Sequence, residues 1–145
     1  MDIALEEARA AANRGEVPVG AVIVRAGQVL ARAGNRTREQ ADPTAHAEIC
    51  AIRAACAATG QARLAACDLY VTLEPCAMCA AAIANAHIAR LYYGAADPKS
   101  GGVGQGPRIF DHSQTHHVPE IYDGLKEAAA AALLHRFFKG LRGDR

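Results

Sequence analysis

Four residues in this 145-residue chain have types and spacing suited to chemistry at a metal ion: His46, Glu48, Cys76 and Cys79. The two cysteines stand in Pro75-Cys76-Ala77-Met78-Cys79, and residues at i and i+3 share one face of a helix. Near a helix start the exposed amides favour thiolate over thiol, the form a metal needs. Pro75 pushes Glu74 into an extended conformation and is well tolerated at a helix start. The pair is therefore expected where a strand hands over to a helix, a common site location in α/β sheets. Two thiolates and one imidazole make three zinc ligands, and catalytic zinc usually has three protein ligands and an open fourth position, whereas structural zinc is closed by four. Cys50, Cys56 and Cys67 fit better as buried small hydrophobes in an apolar helix and beside a strand. Glu48 separates an enzyme from a structural clip: zinc lowers the pKa of a bound water toward roughly 7, and Glu48 can take that proton and return it to the substrate. His46 and Glu48 lie about 200° apart on a regular helix, so both face one site only from a non-ideal first turn.

The surrounding pattern supplies the elements that must hold these groups. Asp2 to Asn13 has helical spacing and can end at Gly15. Val17 to Val24 is a β-branched run that turns at Ala26-Gly27 into Gln28 to Ala31, as a hairpin does. Thr44 is the expected N-cap of a helix through Ala58 that stops at Gly60. Leu69 to Leu73, Cys76 to Ala86 and Leu91 to Tyr93 then read as strand, helix and strand, the rhythm of a partly parallel sheet. The Gly-rich stretch from Gly94 to Pro107 does not make GxGxxG and reads as a mobile loop rather than a phosphate cradle. Val118 to Tyr122 is a short extended piece, and the final helix spans about Leu125 to Phe138. About five strands and four or five helices are expected in one α/β sandwich, with residues 1–145 forming a single domain.

Composition agrees with that plan. Hydrophobic residues make up 51% of the chain, but 34 of them are Ala, so large core residues are scarce. A formal net charge of +1 gives no whole-protein field to draw in nucleic acid. Such a partner must be met by local patches: residues 32 to 38 carry three cations and no acid, and residues 135 to 145 carry Arg136, Lys139, Arg142 and Arg145 against Asp144 alone. Five cysteines, an odd count, with neither a signal peptide's basic start nor a membrane-length apolar run, imply a cytoplasmic protein with thiols or metal ligands rather than disulfides.

The HxE and PCxxC motifs resemble the signature of the zinc-dependent nucleoside and nucleobase deaminases. The wider text, Glu16 to Ala21, Asp42 to Ile49, Thr72 to Cys76 and Tyr93-Gly94-Ala95, is similar to the bacterial tRNA adenosine deaminases over nearly the whole chain. That resemblance implies a three-layer α/β/α fold around a five-stranded mixed sheet. It also implies a homodimer that hydrolyses the wobble adenosine of a tRNA anticodon loop, such as that of a tRNA-Arg bearing ACG, to inosine. It places one zinc ion per subunit on His46, Cys76 and Cys79, with Glu48 as the catalytic proton shuttle. Asn35 would bond the purine edge, the Ala47 backbone would face the base, Val19 and Leu73 would line the pocket, and Asp97 and Lys99 would meet the ribose and backbone. His112 joins the candidate substrate contacts. Arg32, Arg36 and Arg38, and Arg136, Phe137, Phe138, Lys139 and Arg142 near the terminus, are candidate RNA contacts, with one Phe packed while the cations touch phosphate. Against a known pattern, Gln105 to Phe110 replaces a segment often rich in Ser, Leu and Met, and His116 stands where Asn is frequent. The histidines at 112, 116 and 117 have no carboxylate or cysteine at ligand spacing and read as loop surface or packing. Two other readings stand beside this one: a deaminase of a free base or nucleoside such as guanine or cytosine, and a non-catalytic zinc-stabilised RNA-binding module.

Overall fold

Small residues set the spacing of the layers. A Cβ at Gly20 would run into the Ala4 carbonyl and the Ala8 amide, and one at Gly34 would sit 2.8 Å from the Glu7 carbonyl. The first helix, α1 (Asp2–Asn13), therefore lies with its backbone almost on strands β1 (Gly20–Arg25) and β2 (Gln28–Gly34). Its buried face is Ala4, Leu5, Ala8 and Ala11, the helical spacing read from sequence. The alanine excess is thus the material of close helix-on-sheet packing.

The computed structural model describes residues 1–143; Asp144 and Arg145 of the expected basic end lie outside the described residues. After α2 (Ala47–Thr59) come β3 (Cys67–Leu73), α3 (Ala77–Asn85), β4 (Arg90–Ala95), a 3-10 turn (Ile109–Asp111), β5 (Glu120–Tyr122) and α4 (Glu127–Gly143). The sheet order is β2-β1-β3-β4-β5, antiparallel on the β2 side and parallel from β3 to β5. Helices α2 and α3 pack together over Ala21, Ile23, Leu69, Val71 and Leu91, while α1 and α4 pack together with Leu5 and Ala130. This is the expected α/β fold with a five-stranded mixed sheet. Among the described residues, no helix is long and apolar enough to cross a membrane.

Three local expectations change. The first strand begins at Gly20 rather than Val17, because Pro18 has no N–H to give a ladder. Helix α2 is capped by His46, not Thr44. The Thr44 N–H and hydroxyl both donate to Asp42 Oδ1, at 2.9 and 2.7 Å, a local turn that competes with helix entry. The stretch after β4 is pinned rather than mobile: Gly101, Gly102 and Val103 are buried, held by a carboxylate described below. Gly60 ends α2 in the left-handed conformation (φ 68°), as its position suggested.

Candidate active site

Two helix starts meet at the carboxyl end of β3. His46 is the extended residue before α2 (φ −68°, ψ 156°), and Cys76 the extended residue before α3 (φ −71°, ψ 175°). His46 thus stands off the helix while Glu48 sits in its first turn, which removes the 200° conflict. Both helix starts direct positive dipole ends toward the thiol groups. His46 Nδ1 lies 3.6 Å from Cys76 Sγ and 3.5 Å from Cys79 Sγ. Tetrahedral zinc with ordinary Zn–N and Zn–S bonds would hold such a pair about 3.6 Å apart. The donor set and its spacing therefore fit a zinc ion, and among the described residues this is the one group of three such ligand atoms gathered together.

The protons of the site are shared. A hydrogen bond from Cys79, then one with His46, holds Cys76 down to about 4. Cys79, the donor in that bond, is pushed well above the ordinary thiol range, with burial adding to the shift. The hydrogen bond with Cys76 raises His46. These are the protons a divalent metal displaces on binding. Glu48 is 4% exposed, and burial pushes its carboxyl up to about 7, which suits a group that must accept and return a proton near neutrality.

A cavity of about 220 Å³ opens over these groups. Val19, Asn35, Leu73 and Asp97, all named from sequence, line it, and Val17, Glu74 and Ser100 join them. Asn35 is fixed from three directions. Its N–H donates to the Val19 carbonyl (3.2 Å), Arg14 donates to its carbonyl (3.1 Å), and its Oδ1 accepts the Ala47 N–H (2.8 Å). That leaves the amide NH2 to face the cavity. Ala47 is fully buried, and its N–H supports Asn35.

A wider cleft of about 810 Å³ adjoins the cavity through Val17, Leu73, Asp97 and Ser100, and brings in Lys99, His135, Phe138 and Arg142. Phe137 borders a neighbouring hollow with Arg38. Phe137 is half-buried and Phe138 is 44% exposed, so the two rings divide between packing and surface. Among the described residues, no ion pair involves Arg136, Lys139 or Arg142. The upstream cations differ: Arg32 pairs with Glu6 and Glu7, Arg36 with Glu39, and Arg38 donates to the Gly15 carbonyl. The segment itself is acid-free, but folding brings Glu6 and Glu7 to Arg32 and Glu39 to Arg36. His112 is exposed, bonds the Pro107 carbonyl (2.7 Å) and borders neither the cavity nor the cleft.

Sequence reasoning missed two buried carboxylates. Glu74, 2% exposed, accepts N–H bonds from Asp97, Val103, Gly104 and Gln105 at 2.9 to 3.1 Å. Glu16, 1% exposed, accepts the Arg38 N–H at 2.9 Å. Glu74 ties the loop after β4 to the end of β3, and Glu16 ties the loop after β2 to the α1–β1 connection. The signal available was an acid directly before Pro75-Cys76, but its partners lie 23 to 31 residues away.

Ligand atoms at metal spacing beside a buried proton acceptor equip a protein for metal-assisted hydrolysis, and comparison with known proteins narrows that to deamination. The chain belongs to the MafB19-like deaminase family, whose model matches residues 1–142. It is 59% identical over 144 residues to a tRNA-specific adenosine deaminase of Agrobacterium fabrum, covering 99% of this chain and 95% of that one. A solved structure from work on A-to-I editing by tRNA:A34 deaminases at the wobble position superposes with a TM-score of 0.91 and 60% identity, over 92% of this chain and 97% of the other. The guanine deaminase of Nitrosomonas europaea shares the fold at 24% identity, with a TM-score of 0.82 over 94% and 81% of the two chains.

Proposed function

We propose that this deaminase converts the wobble adenosine of a tRNA anticodon loop to inosine, consuming water and releasing ammonia. The observation that carries the substrate is a relative named for that activity, 59% identical across 99% of the chain. The small cavity opening onto a much larger cleft, edged by Lys99 and Arg142, which take part in no ion pair among the described residues, supports a base presented by a macromolecule. Loop nucleotides are already partly unstacked, so flipping one out costs little.

His46, Cys76 and Cys79 would hold the zinc ion, one per subunit. When bound, zinc supplies a Lewis acid that brings the pKa of water toward about 7. Glu48 takes the proton from water, delivers it to N1 of the purine, and then carries one to the departing amine. The Asn35 amide donates to an acceptor on the purine edge, and Val19 and Leu73 sandwich the ring and exclude water. Asp97 and Lys99 lie at the rim, where the ribose and backbone of a flipped nucleotide would pass. A tRNA substrate places the work in the cytoplasm. With Arg136, Lys139 and Arg142 the only Lys or Arg residues that α4 offers, a homodimer presenting both helices is the RNA-binding unit we expect.

The test is the zinc-loaded protein with a tRNA-Arg bearing ACG, read by sequencing. The wobble A should read as G, and Glu48→Ala should abolish the change while zinc content persists. Unchanged adenosine together with rapid ammonia release from free guanine or cytosine would overturn the proposal in favour of a small-molecule deaminase.

A further inference from the structure

At the far end of α3, about 9 Å along its axis from Cys79 and about 13 Å from Cys76 at 1.5 Å per residue, lies a second cavity, of about 340 Å³. Arg63, His87, His116 and His117 line it, with the amides of Asn85 and Gln114, and no carboxylate does among the described residues. Among the described residues Arg63 takes part in no ion pair. The His87 and His117 rings stand 4.8 Å apart, and His117 is oriented by a bond from Nε2 to the Ile88 carbonyl (2.7 Å). A helix C-terminus would ordinarily repel an anion, but here the carbonyls of Ala82, Ile83, Ala84 and Ala86 accept the N–H groups of Ala86, Ile88, His87 and Leu64. The helix end thus shows imidazole and guanidinium in place of bare carbonyls. A metal is disfavoured by the guanidinium and by the orienting bond on His117, and these histidines do not gather as a ligand group.

We propose that this cavity is a phosphate-binding site, in which Arg63 supplies a forked pair of N–H donors and His87 and His116 supply ring N–H donors to one tetrahedral oxyanion. The ligand chemistry is a phosphate group, either on an RNA backbone or on a free phosphate. The site stands independently of the base-editing reading, because none of its residues borders the zinc ligands or the catalytic cavity.

Titrating the zinc-loaded full chain with inorganic phosphate should give saturable shifts of the His87 and His116 ring resonances in NMR spectra. Arg63→Gln should remove saturation while leaving melting temperature, sedimentation and kcat unchanged. Absence of saturation in the wild type, or equal saturation in Arg63→Gln, would overturn the site. A change in sedimentation of the variant would also overturn it, assigning the cavity to a contact between copies. A second arm names the source. If Arg63→Gln lowers the salt slope for binding an anticodon stem-loop RNA by about one, the phosphate is on RNA; with phosphate saturation present and the RNA slope unchanged, it is free.

Discussion

Asn35 does two jobs with one side chain: Oδ1 holds the Ala47 N–H, and the NH2 faces the cavity. The two can be separated. Asn35→Asp keeps the acceptor for Ala47 but removes the donor aimed at the base, so folding should persist while kcat/KM falls by about tenfold to a hundredfold, the value of a lost hydrogen bond of roughly 1.5–3 kcal/mol. Asn35→Ala should add destabilisation of about 1–3 kcal/mol, because a buried N–H loses its partner. Steady-state kinetics beside thermal melts would check this; equal stability of the two variants would refute the division of labour. The ligands and Glu48 were legible in the sequence because their chemistry is encoded in spacings of two and three residues. The Asn35 to Ala47 bond was not, since it spans twelve positions and a side chain to a backbone group.

Among the elements, the least legible was the chain after β4. Its glycines suggested mobility, yet Gly101 is small for a packing reason: a Cβ there would sit 2.6 Å from the Glu74 carboxyl. Four amides converge on that carboxylate, and Cys76 bridges to Gly101 alongside. The strand-to-helix junction carrying one ligand and the loop carrying Asp97 and Lys99 are therefore one unit. Glu74→Gln replaces an acceptor with a donor facing N–H groups, so it should cost about 2–4 kcal/mol, lowering the melting temperature by roughly 5–10 °C in a chain of this size. Hydrogen exchange at Val103, Gly104 and Gln105 should quicken most. Gly101→Ala should loosen the same amides without altering any charge; if it leaves their protection intact, the clamp is not what orders the loop. The order of helices and strands, by contrast, followed from periodicity, but several ends did not: Pro18 and Asp42 overrode it at β1 and α2, β2 runs on to Gly34, β5 starts only at Glu120, and α4 spans Glu127–Gly143 rather than Leu125 to Phe138.

Near-neutral net charge hides an arrangement that only the folded chain reveals. Sequence suggested two basic segments, but folding couples one of them to acids: Arg32 is held at 2.7 and 2.6 Å by Glu6 and Glu7. The other, on α4, keeps Arg136, Lys139 and Arg142 exposed, with Arg142 lining the cleft beside the exposed Phe138. Each phosphate contact contributes about 0.7–0.9 to the slope of log affinity against log salt. Neutralising Arg136 and Arg142 together, each to Gln, should therefore lower that slope for anticodon stem-loop RNA by roughly 1.4–1.8 per subunit engaged. Turnover at saturating RNA should stay near wild type, since neither side chain borders the catalytic cavity. Arg32→Gln should leave the slope unchanged, because its charge is already answered within the protein. Equal effects of the two substitutions in filter-binding titrations would mean that RNA displaces Glu6 and Glu7 from Arg32, making the upstream arginines part of the interface after all.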